Sequence, residues 1–407
     1  MANNRDAAIG FIFVTLLIDV MGFGIIIPVM PGLIAGLKHV DISTAAKYGS
    51  YLTVAYALTQ FVFAPVLGNL SDKYGRRPIL LFSLFGFGVD YIFLALAPSY
   101  GWLFIGRIIA GITGSSFTTA AAYIADISTK ETRAKNFGMI GAAFGLGFII
   151  GPVLGGFISH FGERMPFYAA AALALVNGVY GYFVLPESLS KENRRAFNWK
   201  KANPVSSLLK LKKFPSIGGL FVSMLLLYIA AHAVMSNWNY FTIHRFNWDK
   251  KTVGISLGVV GVLVALVQAG LTRILNPKIG NEKSVYTGLT FYATGMLLFG
   301  MANQSWMMFV FLVPYCLGGI AQPAIQAVMA GKVPPNEQGE LQGALTSVMS
   351  LASIIGPLVM NNLFFYFTHN EAPVYLPGAP FFLGSLLMLT SAVIAFKTLH
   401  TKTVQAV

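Results

Sequence analysis

Asp19, Asp90 and Arg107 fall deep inside long apolar stretches of this 407-residue chain. Charge inside a hydrocarbon layer is costly, so such residues mark a proton or ligand path unless they pair with one another. A carboxylate withdrawn from water holds a proton more readily, and a neighbouring guanidinium reverses that preference. An acid that meets an arginine in one arrangement and not in another therefore loads and releases a proton. Asp19 and Asp90 each lie roughly 18 Å from the inner end of their stretch, and Arg107 lies about 9 Å from the outer end of its own. These depths overlap, so pairing is open. Asp19 is the first candidate for the proton site. Asp90 is either a structural partner or a second proton site.

The second half of the chain has no acid at such depth. It offers His232, Asn237, Trp238, Asn239 and Tyr240 in one stretch, Gln322 and Gln326 four apart on one helix face, and Asn361 with Asn362. Amides and aromatic rings suit an amphipathic, partly aromatic ligand. Each serves equally well as a hydrogen bond between helices, and a lone His232 reads first as a packing residue and second as a proton relay.

The elements that carry these residues follow from composition. Hydrophobic residues make up 56% of the chain and charged residues only 11%, whereas soluble domains carry about 25% charged residues. Twelve apolar runs are long enough to cross a bilayer: 7–30, 47–70, 78–98, 101–126, 136–160, 165–185, 215–243, 251–275, 283–302, 306–330, 340–368 and 376–397. The runs are continuous rather than alternating, which excludes a barrel. No removable signal peptide is expected, since the first run contains Asp19 and prolines. With the N-terminus in the cytoplasm, twenty-one Lys and Arg fall on inner segments and six on outer loops. That bias places both termini inside and accounts for the net charge of +13 without nucleic acid.

Residues 186–214 form a basic cytoplasmic linker between two groups of six spans, 1–185 and 215–407. The end of the linker, from Trp199 to Phe214, is either a short interfacial helix or a solvated tether. The halves look duplicated. Gly75 and Gly280, Gly114 and Gly319, Gly138 and Gly343, and Ile-Gly-Pro at Pro152 and Pro357 share a single offset of 205 residues.

Two motifs concern movement. Residues 141–156 hold six glycines and Pro152. Small residues let helix backbones approach closely, and a proline without an N–H loosens the helix. Gly254, Gly258, Gly261 and Ala265 form a second small-residue stripe, expected to slide on the glycine face of 141–156. The loop after the second span, Gly68-Asn-Leu-Ser71-Asp72-Lys73-Tyr-Gly75-Arg76-Arg77-Pro78, offers a tight turn and charge-assisted bonds across helix ends. Asp126, at the inner end of span 4, is expected to pair with Arg133 or with Arg76 and Arg77. No phosphate loop, His-Glu-x-x-His or Gly-x-Ser-x-Gly motif is present, which argues against ATP as an energy source and against a hydrolase. One cysteine, Cys316, excludes an intrachain disulfide and a cysteine metal cluster.

Gly141, Gly145, Gly151-Pro152, Gly155 and Gly156 resemble the fifth-helix signature of proton-driven antiporters in the major facilitator superfamily. The loop with Gly68, Asp72, Gly75, Arg76 and Arg77 is similar to that superfamily's hallmark loop between helices 2 and 3. Its second-half counterpart, Arg273 to Lys283, is degenerate. Asp19-Val-Met-Gly-Phe-Gly with Pro28 and Pro31, Val89-Asp90-Tyr91, Ile105-Gly106-Arg107 through Gly114, Ala122 to Asp126, Gly254-Ile-Ser, Ala324-Ile-Gln326, and Gln338 to Gly343 leading to Gly356-Pro357 resemble the tetracycline:proton antiporters. The likeness covers nearly the whole chain.

The resemblance implies an all-α membrane fold of twelve helices in two parallel six-helix repeats, acting as a drug:proton antiporter by alternating access. The proton gradient would be its energy source, with no cofactor and no metal. Its partners would be a small-molecule substrate, protons and the lipid bilayer, with no nucleic acid. It would be a functional monomer in a bacterial inner membrane, and not an enzyme. An exporter of an endogenous metabolite or siderophore is the alternative, and a receptor or channel a further one. Tetracycline exporters carry a histidine within helix 8 and an aspartate within helix 9, and the matching positions here are Val264 and Tyr292.

Overall fold

The computed structural model describes residues 2–114, 116–129, 132–197, 199, 213–334 and 337–400, and every regular element among them is helical. The chain falls into two compact units. One comprises Met1–Val40, Ala55–Pro204 and Trp248–Gly261, and the other Asp41–Val54, Val205–Asn247 and Val262–Val407. Ten helices among the described residues are long and apolar enough to cross a membrane.

The first half runs α1 (Ala2–Ile26), α2 (Met30–Lys38), α3 (Ile42–Tyr74), α4 (Arg76–Leu96), α5 (Tyr100–Thr113), α6 (Ser116–Ile127), α7 (Arg133–Ile158) and α8 (Met165–Val184). The first span, expected over 7–30, stops at Ile26. Pro28 has no N–H to continue the ladder, and Ile27 and Val29 donate instead to carbonyls three residues back, at 3.2 Å each. A separate short helix, α2, follows and ends at His39 in the left-handed region, φ 53°. α3 is longer than expected, 33 residues, because Asp41 accepts the Thr44 N–H at 3.0 Å and starts the helix early. Span 4 is two helices, broken at Gly114. The expected interfacial helix of the linker falls largely on 200–212, outside the described residues.

The second half runs α9 (Gly218–Met235), α10 (Trp238–Phe246), α11 (Lys250–Leu266), a π turn (Val267–Leu271), α12 (Thr272–Ile279), α13 (Asn281–Met301), α14 (Ser305–Leu317), a 3-10 turn (Gly318–Ile320), α15 (Ala321–Gly331), α16 (Gln338–Thr368) and α17 (Ala379–His400). Spans 7, 8 and 10 are thus interrupted where unbroken helices were expected. The duplication is visible in the helix boundaries. α4 and α13, α5 and α14, and α6 and α15 start at residues 205 apart, and the break at Gly114 recurs beside Gly319.

The first unit is cored by Phe11, Ile12, Leu16, Leu80, Tyr123 and Ile124, joining α1, α4 and α6. The second is cored by aromatic rings. Trp238 meets Phe299 edge-on at 5.0 Å, and Phe241 meets Phe381 at 4.9 Å.

Four glycines of α7 divide between two neighbours, in place of the single sliding face expected from the sequence, and Gly138, Gly141 and Gly145 meet neither. Gly147, Gly151 and Gly155, spaced by four, lie against α1 at Leu17 and Val20, Met21 and Gly24, and Ile25. α11 presses on the adjacent face. Gly254 rests on the Pro152 carbonyl, Gly258 on Val153 and Gly261 on Ile149. No Cβ fits at Gly155 or Gly254 without moving a backbone carbonyl. Gly258→Leu is expected to leave the protein folded and to abolish transport, because overpacking locks one arrangement. Gly155→Leu, aimed at α1, is expected to lower thermal stability as well. Normal transport by Gly258→Leu in vesicles would rule out a moving contact between α7 and α11.

Candidate functional site

Asp90 on α4 and Arg107 on α5 form a buried ion pair, with Asp90 0% and Arg107 6% exposed. Gly106 makes room for the carboxylate, since a Cβ there would meet Asp90 Oδ1. The guanidinium also lies over the Tyr56 ring of α3, 6.0 Å from its centroid, within cation–π range. The pairing is one-sided, because Asp90 Oδ1 and Arg107 Nε find no hydrogen bond.

Asp19 on α1 is different. Its two carboxylate oxygens are shielded from solvent and complete no hydrogen bond. Ser116, the first residue of α6, stands beside it. Arg107 is engaged with Asp90 and not with Asp19. Of the three deep ionisable groups the structure therefore pairs two and leaves one carboxylate alone. Gly22, one turn further along α1, takes the Tyr91 hydroxyl of α4, so α1 is held closely where Asp19 faces α6.

At the junction of α3 and α4, Arg76 is the hub of the Asp72–Arg77 loop. Its guanidinium donates to Asp72, to Ser71 Oγ at 2.7 Å and to Asp126 Oδ2 at 3.1 Å. Asp126 thus pairs with Arg76, and the side chain of Arg133 lies outside the described residues. Glu187, which the sequence reading missed, accepts the Arg76 N–H at 2.8 Å and the Arg77 N–H at 3.3 Å. It caps α4 from a loop more than a hundred residues away, where a carboxylate also meets the positive end of the helix dipole. Gly75, at φ 110°, lets that carboxylate approach, and Gly68 faces open space.

The second-half candidates do not form one cluster. Trp238 is 1% exposed and wedged between Phe299 and Phe381. It packs as a core aromatic here. Gln322 Nε2 donates to the Tyr228 hydroxyl at 3.1 Å, and Gln326 approaches the same group. The two glutamines do share a face, and Tyr228 is the residue missed. His232 packs against Gly356, just before Pro357, and its Nδ1 is buried without a hydrogen bond. Ser236 donates to Asn361 Oδ1 at 3.3 Å. Asn237, 0% exposed at the α9–α10 break, has neither side-chain atom bonded. Tyr292 packs its ring on Tyr315, 5.1 Å between centroids, and against Gly318.

A paired repeat of broken apolar helices, with charges sequestered inside the spans, defines a secondary transporter of the membrane rather than an enzyme. The pattern of the Major Facilitator Superfamily matches residues 12–357 and 275–405, and the chain belongs to that superfamily. It is 39% identical over 350 residues to the class C tetracycline resistance protein of Escherichia coli, covering 86% of this chain and 88% of the relative. It is 30% identical over 363 residues to multidrug resistance protein 2 of Bacillus subtilis (strain 168), covering 87% and 88%. The fold matches the human organic anion transporter MFSD10 (TETRAN), with TM-score 0.74 and 23% identity over 96% of this chain and 99% of that one. It also matches a bacterial homologue of the human lysosomal transporter Spinster in an inward-facing, unoccupied conformation, with TM-score 0.77 and 14% identity over 97% of each chain.

The buried pair carries a stability prediction. Removing one partner leaves an uncompensated charge and costs about 3–5 kcal/mol, whereas removing both costs far less. Arg107→Gln should therefore unfold in detergent well below the parent, and Arg107→Gln with Asp90→Asn should recover most of the loss. Additive losses in a thermal-unfolding cycle would show that the two do not act as a pair.

Proposed function

We propose that this protein exports a small amphipathic, drug-like compound in exchange for protons, with Asp19 as the proton-carrying group. The observation that carries this reading is the lone Asp19 carboxylate. Of the three deep charged groups of the first unit it is the one without a counter-charge, so its charge state is free to change during the cycle, whereas Asp90 and Arg107 neutralise each other. Protonation from outside would displace the outbound compound, and release inside would reset the site. Residues 1–185 and 215–407 act as the two repeats that rock about the cargo, joined by the 186–214 linker. Both termini face the cytoplasm, following the loop charge bias. The setting is a bacterial inner membrane, the protein works as a monomer, and no cofactor takes part.

The cargo surface in the second unit is built from amides and hydroxyls: Tyr228 with Gln322 and Gln326, and the His232, Asn237 and Asn361 group. Such a surface suits a partly aromatic compound. Val264 and Tyr292 remove two titratable groups that tetracycline exporters carry, which favours a different drug or, as a second reading, an endogenous metabolite or siderophore.

Two outcomes follow. Asp19→Asn should lose pH-gradient-driven transport in proteoliposomes while keeping downhill exchange, since the amide preserves shape and does not titrate. Full gradient-driven activity in that variant would move the proton site elsewhere. Expression in sensitive cells should confer little or no tetracycline resistance, and strong magnesium-dependent tetracycline uptake into inverted vesicles would contradict that.

A further inference from the structure

One polar side chain of the first unit bonds both to the tyrosine beneath Arg107 and to the helix break just before Ser116, and the cycle proposed above gives it no role. Gln60, on α3, donates through its Nε2 to the Tyr56 hydroxyl at 2.9 Å and to the Gly114 carbonyl at 2.9 Å. A primary amide has two N–H groups, and both are used. Each contact matters for a separate reason.

The Gly114 carbonyl sits at the break in span 4. α5 ends at Thr113, and Gly114, with ψ 47°, leaves the helical ladder. A backbone carbonyl freed in this way inside a membrane must find a donor from its own protein. Gln60 is that donor, so it fixes where the break lies and hence where α6 restarts. α6 restarts at Ser116, the side chain beside Asp19. The close fit of α3 on α5 just above the break leaves little slack, because Gly111 rests on Thr59 and on the Tyr56 carbonyl. On its other side Gln60 holds Tyr56, whose ring underlies the Arg107 guanidinium.

We infer that Gln60 is a positioning residue for Asp19. By tying Tyr56 to the Gly114 carbonyl it holds Ser116 beside the carboxylate and links the carboxylate's proton exchange to the Asp90–Arg107 pair. The inference rests on the reading of Asp19 as the proton site. The ionisable groups facing Asp19 are Tyr56 from α3 and Tyr91 from α4, with Asp90 and Arg107 beyond them. α6 presents Ser116, α7 carries no ionisable residue after Lys135, and α8, also packed on α1, carries only the tyrosines Tyr168, Tyr180 and Tyr182.

The test needs no cargo. Infrared titration of the full-length protein in lipid vesicles follows carboxyl protonation, and the band lost in Asp19→Asn identifies the Asp19 group. Ser116 is the polar side chain beside the carboxylate, so losing its positioning should move the midpoint of that band. Gln60→Met, which keeps the length and removes both donors, is expected to show this shift. Ser116→Ala should shift it in the same direction, and adding Gln60→Met to Ser116→Ala should add little further, since both act through one contact. Tyr56→Phe should give a smaller shift, because the bond from Gln60 to Gly114 remains. An unmoved midpoint in folded Gln60→Met overturns the inference, as do fully additive shifts in the double variant. If Gln60→Met does not fold, Ser116→Ala and Tyr56→Phe decide, and an unmoved midpoint in both overturns it. If Asp19→Asn removes no titrating band, the proton-site reading itself fails, an outcome separate from an unmoved band.

Discussion

A guanidinium and a carboxylate placed inside a lipid layer must find each other, because neither has water to fall back on. Asp90 and Arg107 do so between α4 and α5, and much of the first unit is arranged around that meeting. Gly106 clears space for the carboxylate and Tyr56 lies beneath the guanidinium. With this pair closed, Asp19 has no cation to turn to. Its isolation goes with the pairing, and on the proposed reading it confines the charge that changes to α1, one turn from a glycine that meets Tyr91.

The same rule governs the backbone. Every interruption of a span frees polar groups that lipid cannot satisfy, and three of the interruptions here lie next to side chains that can. Gln60 serves the Gly114 carbonyl at 2.9 Å. The Ser236 hydroxyl returns to the His232 carbonyl at 2.6 Å, just before the α9–α10 break. The Thr272 hydroxyl reaches the Val267 carbonyl at 3.0 Å across the π turn. Breaks of this kind weaken a helix locally without exposing it, and they offer hinges at positions where a rigid rod would resist rearrangement.

What was legible in the sequence follows from the length scale of each signal. Span lengths and the 205-residue repeat are long-range patterns, and the helix boundaries obey them. The pairing of Asp126 with the Arg76 loop was readable because opposite charges at the same helix ends have few other partners. Breaks were not, because Gly114 is one of 42 glycines and only the amide of Gln60, fifty-four residues earlier, distinguishes it. Glu187 was missed for a similar reason: a capping carboxylate from a distant loop leaves no mark on the helix that it caps. Trp238 reads as a ligand contact beside two asparagines, yet its large apolar surface is packed between two aromatic neighbours, Phe299 and Phe381. The two faces of α7 were latent in the spacing, since 147, 151 and 155 fall on one stripe and 156 on another, but only the neighbours reveal that α1 takes one and α11 the other.

The duplication bears on the proposed assignment of proton chemistry to one repeat. The helix breaks are shared, at Gly114 and beside Gly319, and so are the prolines at 152 and 357. The charges are not. At the same offset from Asp19, Asp90 and Arg107 the second half carries Met224, Gly295 and Leu312, and opposite Gln60 it carries Ala265. The second break is held instead by a 3-10 turn, with the Ala321 N–H returning to the Gly318 carbonyl. A local turn satisfies the freed carbonyl as well as a glutamine does, but it reaches no other helix. The glutamine appears in the repeat where the break has a carboxylate beside it, and the turn in the repeat where it has none. Both solutions satisfy the backbone. Only the first couples the break to charged groups on neighbouring helices, as the proposed division of proton and cargo handling between the repeats requires.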